Sequence, residues 1–258
     1  MIKWPLRTLL AGLNIPKNEL ILLHVRLKNL MPRDAQHSDL QTIDYSTLSR
    51  AIVDITDELY QPRGILVPTF TYSFTNTAIF DRRSTVSEAG RFGEEVRTQH
   101  PIFQRLLEPV FSMVDCHKAL MGTGFRLNSA FGEGSLWSIL SEIGFVSVNI
   151  NVPGLFGTYL HFLENKHKVP YRYSKWFSGR ISPDGEQWSS VDYEYYVRRL
   201  DRDTEWKREK IARDLSEEGV LHEYGTPELP LRWFRTKEVD LVLGNYLERN
   251  PFYLISDD

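Results

Sequence analysis

The run LILLHV, residues Leu20–Val25, decides the fold class of this chain of 258 residues. Five of its six side chains are apolar, which is typical of a strand that is buried on both faces of an α/β sheet. A second run of this kind, GILVPTF, occupies residues Gly64–Phe70. Between the two runs, residues Tyr45–Tyr60 carry apolar side chains at helical spacing. Strand, helix and strand in this order predict an α/β fold.

The same patterns predict further elements along the chain. The stretch from Thr71 to Pro109 has no regular pattern, and a connection of this length inside a domain is usually functional. Thr158 is a candidate helix cap. The predicted elements are a helix over 4–13, strands over 110–114 and 145–150, helices over 135–143 and 158–166, a hairpin over 176–195 with its turn at 183–185, and a charged helix over 204–218.

Composition excludes several classes of protein. The chain has 41% hydrophobic and 25% charged residues, so long disorder is not expected. Its 31 basic and 34 acidic residues give a net charge of -3, which argues against nucleic acid as a partner. No run of 18 or more apolar residues is present, so no membrane span is expected.

The lone cysteine, Cys116, excludes an internal disulfide and a cysteine-based zinc site. We therefore expect a reducing, cytoplasmic location. No segment rich in proline, glycine or serine divides the chain, which favours one domain over residues 1–258, with residues 175–258 as a C-terminal extension of the same fold.

The common phosphate and nucleophile motifs are missing. The sequence contains no P-loop, no dinucleotide fingerprint and no nucleophile elbow. His161, Glu164 and His167 lie three residues apart, but zinc motifs on helices place two histidines four residues apart on one face. We expect no metal.

His161 and Glu164 are the candidate catalytic pair. Side chains three residues apart on a helix are neighbours, so the carboxylate can hold one imidazole nitrogen and raise the basicity of the other. A general base needs this arrangement. An ordinary surface pair on a helix would have the same spacing, and this alternative stays open.

A longer ordered set of elements carries a family resemblance. It consists of Leu20–His24, Gly64–Thr71, Phe80-Asp81, Ser87–Gly90, Glu95–Arg97, Gly132-Glu-Gly-Ser135, Thr158-x-x-His161-x-x-Glu164, Val191-x-Tyr193 with Arg198, and Asn250-Pro-Phe252. With these elements in this order, the chain resembles the aminoglycoside 3-N-acetyltransferase family over nearly its full length. It differs from the family pattern at Val25, Arg26, Leu106 and Glu108.

The resemblance implies a three-layer α/β/α fold with a mixed sheet and an enzyme that uses acetyl-CoA as acyl donor. His161 would be the general base and Glu164 would orient it. The acceptor would be a small-molecule amine on an amino sugar or aminocyclitol, either an antibiotic or an amino sugar of polysaccharide biosynthesis. The residues assigned to acetyl-CoA are His24, Thr69, Thr71, Arg97, Arg105 and Ser112, and those assigned to the acceptor are Tyr72, Asp81 and Glu108.

Some alternatives remain open at this point. A degenerate relative could bind a ligand or partner without turnover, and a thioester hydrolase could use His161 and Glu164 to activate water. A polycationic aminoglycoside requires an acidic cleft. The candidate acids for one lie on the predicted hairpin, at Asp184, Glu186, Asp192 and Glu194. A homodimer is a further open alternative.

Overall fold

The computed structural model describes residues 3–28, 30, 44–152 and 157–256. Within these residues the helices are α1 (Lys3–Ala11), α2 (Tyr45–Tyr60), α3 (Phe74–Thr77), α4 (Arg91–Gln99), α5 (Leu136–Ile143), α6 (Thr158–Lys166), α7 (Arg208–Glu217) and α8 (Thr236–Arg249). The strands are β1 (Leu20–Val25), β2 (Gly64–Pro68), β3 (Ile79–Asp81), β4 (Met113–Asp115), β5 (Val146–Ile150), β6 (Arg172–Ser182), β7 (Ser189–Arg198), β8 (His222–Thr226) and β9 (Leu229–Arg235).

Six strands form the central sheet, in the order β4-β2-β1-β5-β9-β8. The three middle strands β2, β1 and β5 are parallel, whereas β4, β9 and β8 join as antiparallel strands at the two edges. The predicted mixed sheet is therefore confirmed. Parallel strands need both faces covered, which explains why their sequences are almost continuously apolar.

The two faces of the sheet are covered by different helices. Because successive side chains of a strand point to opposite faces, Ile21 and Leu23 pack with α1, α2 and α4, while Leu20 and Leu22 pack with α5, α6, α7 and α8. The architecture is three-layered, α/β/α, as expected.

A smaller sheet lies beside the second helical layer. It has the order β3-β6-β7, and β6 and β7 form the predicted hairpin. Tyr193 and Tyr196 of β7 are buried in the same core as α6. In the register of the hairpin, Arg172 at the start of β6 stands opposite Arg198 at the end of β7. The hairpin therefore brings its open end to the side of α6.

Element bounds differ from the sequence-based predictions in a few places. Helix α2 matches the prediction, but β4 begins at Met113 and not at Val110, and the stretch predicted as irregular contains α3, β3 and α4. The predicted cap at Thr158 is wrong. Gly157 occupies the cap position with extended backbone, so Thr158 is the first helical residue, and none of the described side chains caps α6. The preceding loop, residues 151–157, lies partly outside the described residues.

No helix in the described ranges is both long and apolar enough to cross a lipid bilayer.

Candidate active site

The predicted pair of His161 and Glu164 forms a direct contact on α6. Nδ1 of His161 lies 2.7 Å from Oε2 of Glu164. The Glu164 side chain is fully buried, whereas about a quarter of the His161 side chain is exposed, with a value of 26%. Glu164 is therefore the inner partner and His161 the outer one.

The pKa of Glu164 lies below its usual value. Burial alone would raise the pKa, but the hydrogen bond and charge of His161 and the charge of Arg172 outweigh burial. Glu164 is therefore ionised at neutral pH and can only accept hydrogen bonds. Nδ1 of His161 must then carry the proton, which leaves Nε2 with a free lone pair for a proton from substrate.

Two further residues, which the sequence did not predict, also contact the Glu164 carboxylate. Nε1 of Trp206 donates a hydrogen bond to Oε1 across 2.8 Å. Nε of Arg172 lies 2.6 Å from Oε2. No spacing rule could have found them, because Arg172 comes from β6 and Trp206 from the segment before α7, and only the fold brings them to α6.

Aromatic rings fix the position of the imidazole. The Trp206 ring centroid lies 4.4 Å from that of His161, at an interplanar angle of 40°. The Phe131 ring centroid lies 6.4 Å from that of the same imidazole. Burial lowers the pKa of His161, and Glu164 offsets part of that effect. His161 is therefore neutral at pH 7, as a general base must be.

A cavity of about 430 Å³ opens beside His161. Its size is within the range of small-molecule sites. It is lined by His161, Arg172, Tyr195, Val197, Arg198, Thr204, Glu205, Trp206 and Arg208. This acceptor-side cavity, as we call it, lies between α6, the open end of the hairpin and the start of α7.

A second cavity, of about 410 Å³, lies at the carboxyl end of β1. Its lining includes His24, Arg26 and Lys28, together with Gly90 just before α4. Nε2 of His24 is buried there and has no hydrogen-bond partner among the described residues, and burial lowers the pKa of His24 to about 4. Ligands of open α/β sheets bind at such strand ends. We call this space the strand-end cavity.

Gly93 allows α4 to pack closely against the carboxyl end of β2, beside the strand-end cavity. A Cβ atom at this position would lie 2.3 Å from the carbonyl oxygen of Pro68, at the end of β2. Any larger residue would push α4 away from the strand ends, and the strand-end cavity would change shape.

The other residues assigned to acetyl-CoA lie elsewhere. Nη2 of Arg105 donates to the carbonyl of Thr69 across 3.0 Å, and its Nε donates to Oγ of Ser112 across 3.1 Å. Oγ1 of Thr71 donates to the carbonyl of Pro109 across 2.6 Å. These side chains are buried and line neither the strand-end nor the acceptor-side cavity.

Arg97 forms an ion pair with Glu94, 2.6 Å from Nη2 to Oε1. With Arg105 it borders a third cavity of about 310 Å³. Of the six residues assigned to acetyl-CoA, only His24 borders the strand-end cavity. A role for the other five in binding the donor stays a prediction.

The residues assigned to the acceptor are not among those that line the acceptor-side cavity. Glu108 is buried and accepts hydrogen bonds from Oη of Tyr193 and from the backbone N–H of Phe111. Burial raises its pKa to about 7. Asp81 accepts from the backbone N–H of Arg83 across 2.9 Å. Tyr72 is 41% exposed and packs against neighbouring aromatic rings. Their role in substrate binding stays a prediction.

The described part of the chain holds no group of three or more histidine, cysteine, aspartate or glutamate side chains that could bind a metal ion. Cys116 is half-buried, and burial raises the pKa of its thiol to about 12. A thiol with such a pKa is a weak nucleophile at neutral pH.

A comparison with protein families decides the assignment. A family model described as aminoglycoside 3-N-acetyltransferase matches residues 37–248, more than four fifths of the chain. The chain belongs to this family. Members of the family transfer an acetyl group from acetyl-CoA to an amine, so the predicted enzyme class is confirmed.

Solved structures show the same fold. Aminoglycoside acetyltransferase AAC(3)-Xa has a TM-score of 0.72 and 18% identity, covering 98% of this chain and 93% of that chain. AAC-IIIb with CoASH has a TM-score of 0.70 and 18% identity, covering 96% of each chain. AAC-VIa bound to sisomicin has a TM-score of 0.70 and 16% identity, covering 96% of this chain and 97% of that chain. A sequence search of curated proteins gave no match.

Proposed function

We propose that this acetyltransferase acetylates an amino group of an amino sugar or aminocyclitol, with His161 as general base and Glu164 as the residue that orients it. One observation carries the proposal. A neutral imidazole borders a cavity large enough for a sugar ring, while its Nδ1 is held by a buried, ionised carboxylate.

The chemistry follows from this arrangement. The amine nitrogen attacks the thioester carbonyl carbon of acetyl-CoA, and Nε2 of His161 takes up the proton that the nitrogen loses. The carbon–sulfur bond then breaks and CoA leaves as the thiolate, which is protonated to the thiol. The anionic Glu164 stabilises the imidazolium that forms.

The strand-end cavity is our candidate site for acetyl-CoA. Arg26 and Lys28 bring positive charge to it, and α4 begins there, so backbone N–H groups and the helix dipole add to the attraction for phosphate. Nε2 of His24, which has no partner in the part of the chain that the structure describes, gives the cavity a polar atom that a ligand could satisfy. The fold neighbour AAC-IIIb with CoASH supports a CoA site on this architecture.

The acceptor would occupy the acceptor-side cavity, next to His161. Trp206 and Tyr195 line it with flat rings on which a sugar can stack. The fold neighbour AAC-VIa bound to sisomicin supports a ring-borne amine as the acceptor class.

A two-part experiment tests the proposal. Calorimetric titration measures binding of acetyl-CoA, and release of CoA thiol is then followed with and without a panel of amines. We expect His161→Ala to lower kcat/KM by at least 100-fold with an unchanged Kd for acetyl-CoA, because a general base contributes 10²–10⁴-fold. His117→Ala is the matched control, since His117 lies near Asp57 and away from both cavities.

Three results would contradict the proposal. A wild-type rate in His161→Ala would show that His161 is not the general base. CoA release that needs no amine would indicate a thioester hydrolase. Binding of acetyl-CoA without acyl transfer to any amine would indicate a degenerate relative.

A further inference from the structure

Arginines dominate the charge of the acceptor-side cavity. Arg172, Arg198 and Arg208 line it, and Glu205 is the one carboxylate among the lining residues that the structure describes. Glu164 lies behind the cavity, where it is fully buried and both of its oxygens are engaged by His161, Trp206 and Arg172. The surface that would meet an acceptor is therefore cationic.

Two of these arginines stand directly opposite each other. Arg172 and Arg198 form a cross-strand pair in the antiparallel hairpin. Like charges at such positions destabilise a sheet, because the side chains of a pair begin about 5 Å apart. The charge of Arg172 is balanced by Glu164, 2.6 Å away. The Arg198 guanidinium has no ion pair or hydrogen bond to any side chain in the described residues, so its charge faces the cavity unbalanced.

The acids that sequence analysis assigned to an aminoglycoside cleft are not in this cavity. Asp184 and Glu186 lie at the closed end of the hairpin, where Asp184 accepts hydrogen bonds from the turn backbone. Oγ of Ser178 donates to Asp192, and Oγ of Ser129 donates to Glu194. A polycationic acceptor would therefore find one carboxylate among the described lining residues and, at Arg198, a guanidinium group without a counter-charge there, which is an unfavourable charge match.

We propose that the acceptor amine carries a phosphoryl group, held by Arg198 together with Arg172 and Arg208, while its amino group faces His161. This rests on the proposed function and narrows its substrate to a phosphorylated amino sugar. Guanidinium groups bind phosphate through paired, charge-assisted hydrogen bonds, and a phosphoryl group has enough terminal oxygens for more than one arginine. The anion would also give Arg198 the counter-charge that it lacks among the described residues.

Arg208 also contacts Trp206, the aromatic residue next to His161. The guanidinium carbon of Arg208 lies 5.4 Å from the Trp206 ring centroid, and the same ring lies beside His161. Both the base and the Arg208 guanidinium therefore contact the Trp206 ring, so an acceptor bound beside this ring would meet both groups.

The test is a calorimetric titration that needs no turnover. The probes are glucosamine 6-phosphate, glucosamine 1-phosphate, glucosamine, glucosaminic acid and sisomicin, each added to the full-length protein. We expect at least one phosphorylated probe to bind ten-fold or more tightly than glucosamine, and sisomicin to bind more weakly than either phosphate ester. Binding should weaken steeply with salt, because it depends on exposed charges.

Arg198→Gln should remove most of the preference for phosphate, whereas Arg199→Gln should leave it unchanged. Arg199 is the matched control because it is the next residue on the chain, is also exposed, and donates to the carbonyl of Pro170 instead of lining the cavity. Arg208→Gln gives a second variant at the cavity.

Four outcomes with the acceptor probes would overturn the inference, and a fifth concerns the donor. The four are equal binding of glucosamine and its phosphates, tighter binding of glucosaminic acid (a carboxylate acceptor), tighter binding of sisomicin, and undiminished phosphate preference in Arg198→Gln. Loss of acetyl-CoA binding in Arg198→Gln would also overturn it, since the arginines would then serve the donor. Each of these is measured by binding, so a failure of acyl transfer contradicts the proposed function separately.

Discussion

Nε1 of Trp206 donates a hydrogen bond to Oε1 of Glu164 across 2.8 Å, and joins two segments that are 42 residues apart in the chain. The same indole lies against the imidazole of His161. Trp206 therefore acts on the pair of His161 and Glu164 in two ways. It donates to a buried carboxylate oxygen of Glu164, and its ring limits the orientations of the His161 imidazole.

Trp206→Phe separates these two effects, because it keeps a ring beside His161 but removes the donor. The free energy of unfolding should fall by about 1–3 kcal/mol, since a buried charged oxygen loses its partner. We also expect a lower kcat, as Glu164 would hold the imidazole less firmly. Urea denaturation and initial rates measure both.

Trp176→Phe is the control for this variant, because Trp176 is exposed on β6. Unchanged stability in Trp206→Phe would show that the hydrogen bond to Glu164 contributes nothing.

Glu164→Gln tests the electrostatic part of the mechanism. Burial lowers the pKa of His161 and the Glu164 charge raises it, so removal of that charge should lower the pKa further. The acid limb of kcat/KM, where protonated His161 is inactive, should therefore move to lower pH. The plateau rate should fall by about 10–100-fold, because the imidazolium loses its counter-charge.

The measurement is a pH–rate profile with saturating acetyl-CoA, and Glu142→Gln on the exposed side of α5 serves as control. An acid limb at the wild-type pH would mean that Glu164 does not act on His161.

Glu108 should give the protein an unusual dependence of stability on pH. Burial raises its pKa from 4.5 to about 7, so between these values the folded state binds more protons than the unfolded state. The contribution of Glu108 to the free energy of unfolding is then greatest below pH 4.5 and is lost as pH rises to about 7. The loss is about 3 kcal/mol, at 1.36 kcal/mol per pKa unit.

Glu108→Gln should abolish this contribution and be more stable than the wild type at pH 8. Chemical denaturation at pH 5, 6, 7 and 8 measures the difference in free energy of unfolding between the wild type and Glu108→Gln. This difference separates the effect of Glu108 from that of other titrating groups. The exposed Glu133→Gln is the control. A difference that is constant with pH would contradict the raised pKa.

The core of the fold could be predicted from the sequence because its signals are local. The apolar runs of β1 and β2 and the amphipathic pattern of α2 each lie within one continuous segment. The spacing of His161 and Glu164 is local as well, since one helical turn makes them neighbours. By contrast, no local pattern predicts β8, β9 and α8, and β4 begins three residues after its predicted start.

Several residues that the family pattern assigned to the donor do not face either of the two cavities near the candidate site. Thr69, Thr71, Arg105 and Ser112 matched a family pattern, but the structure places them in buried hydrogen bonds between the end of β2 and the segment before β4. The spacing of a motif predicts which residues lie together. It does not predict whether a side chain faces a cavity or the protein interior.

The sequence by itself determined the α/β class, the helix that carries His161 and Glu164, and the order of the family elements, because each depends on neighbours along the chain. Only the tertiary structure decided which groups surround these two residues. Trp206 and Arg172 reach Glu164 from separate elements, and hairpin register sets Arg198 opposite Arg172 at the cavity. The charge of the cavity beside His161 is therefore a property of packing, since it arises from side chains that meet only when the sheet, the hairpin and α6 are assembled.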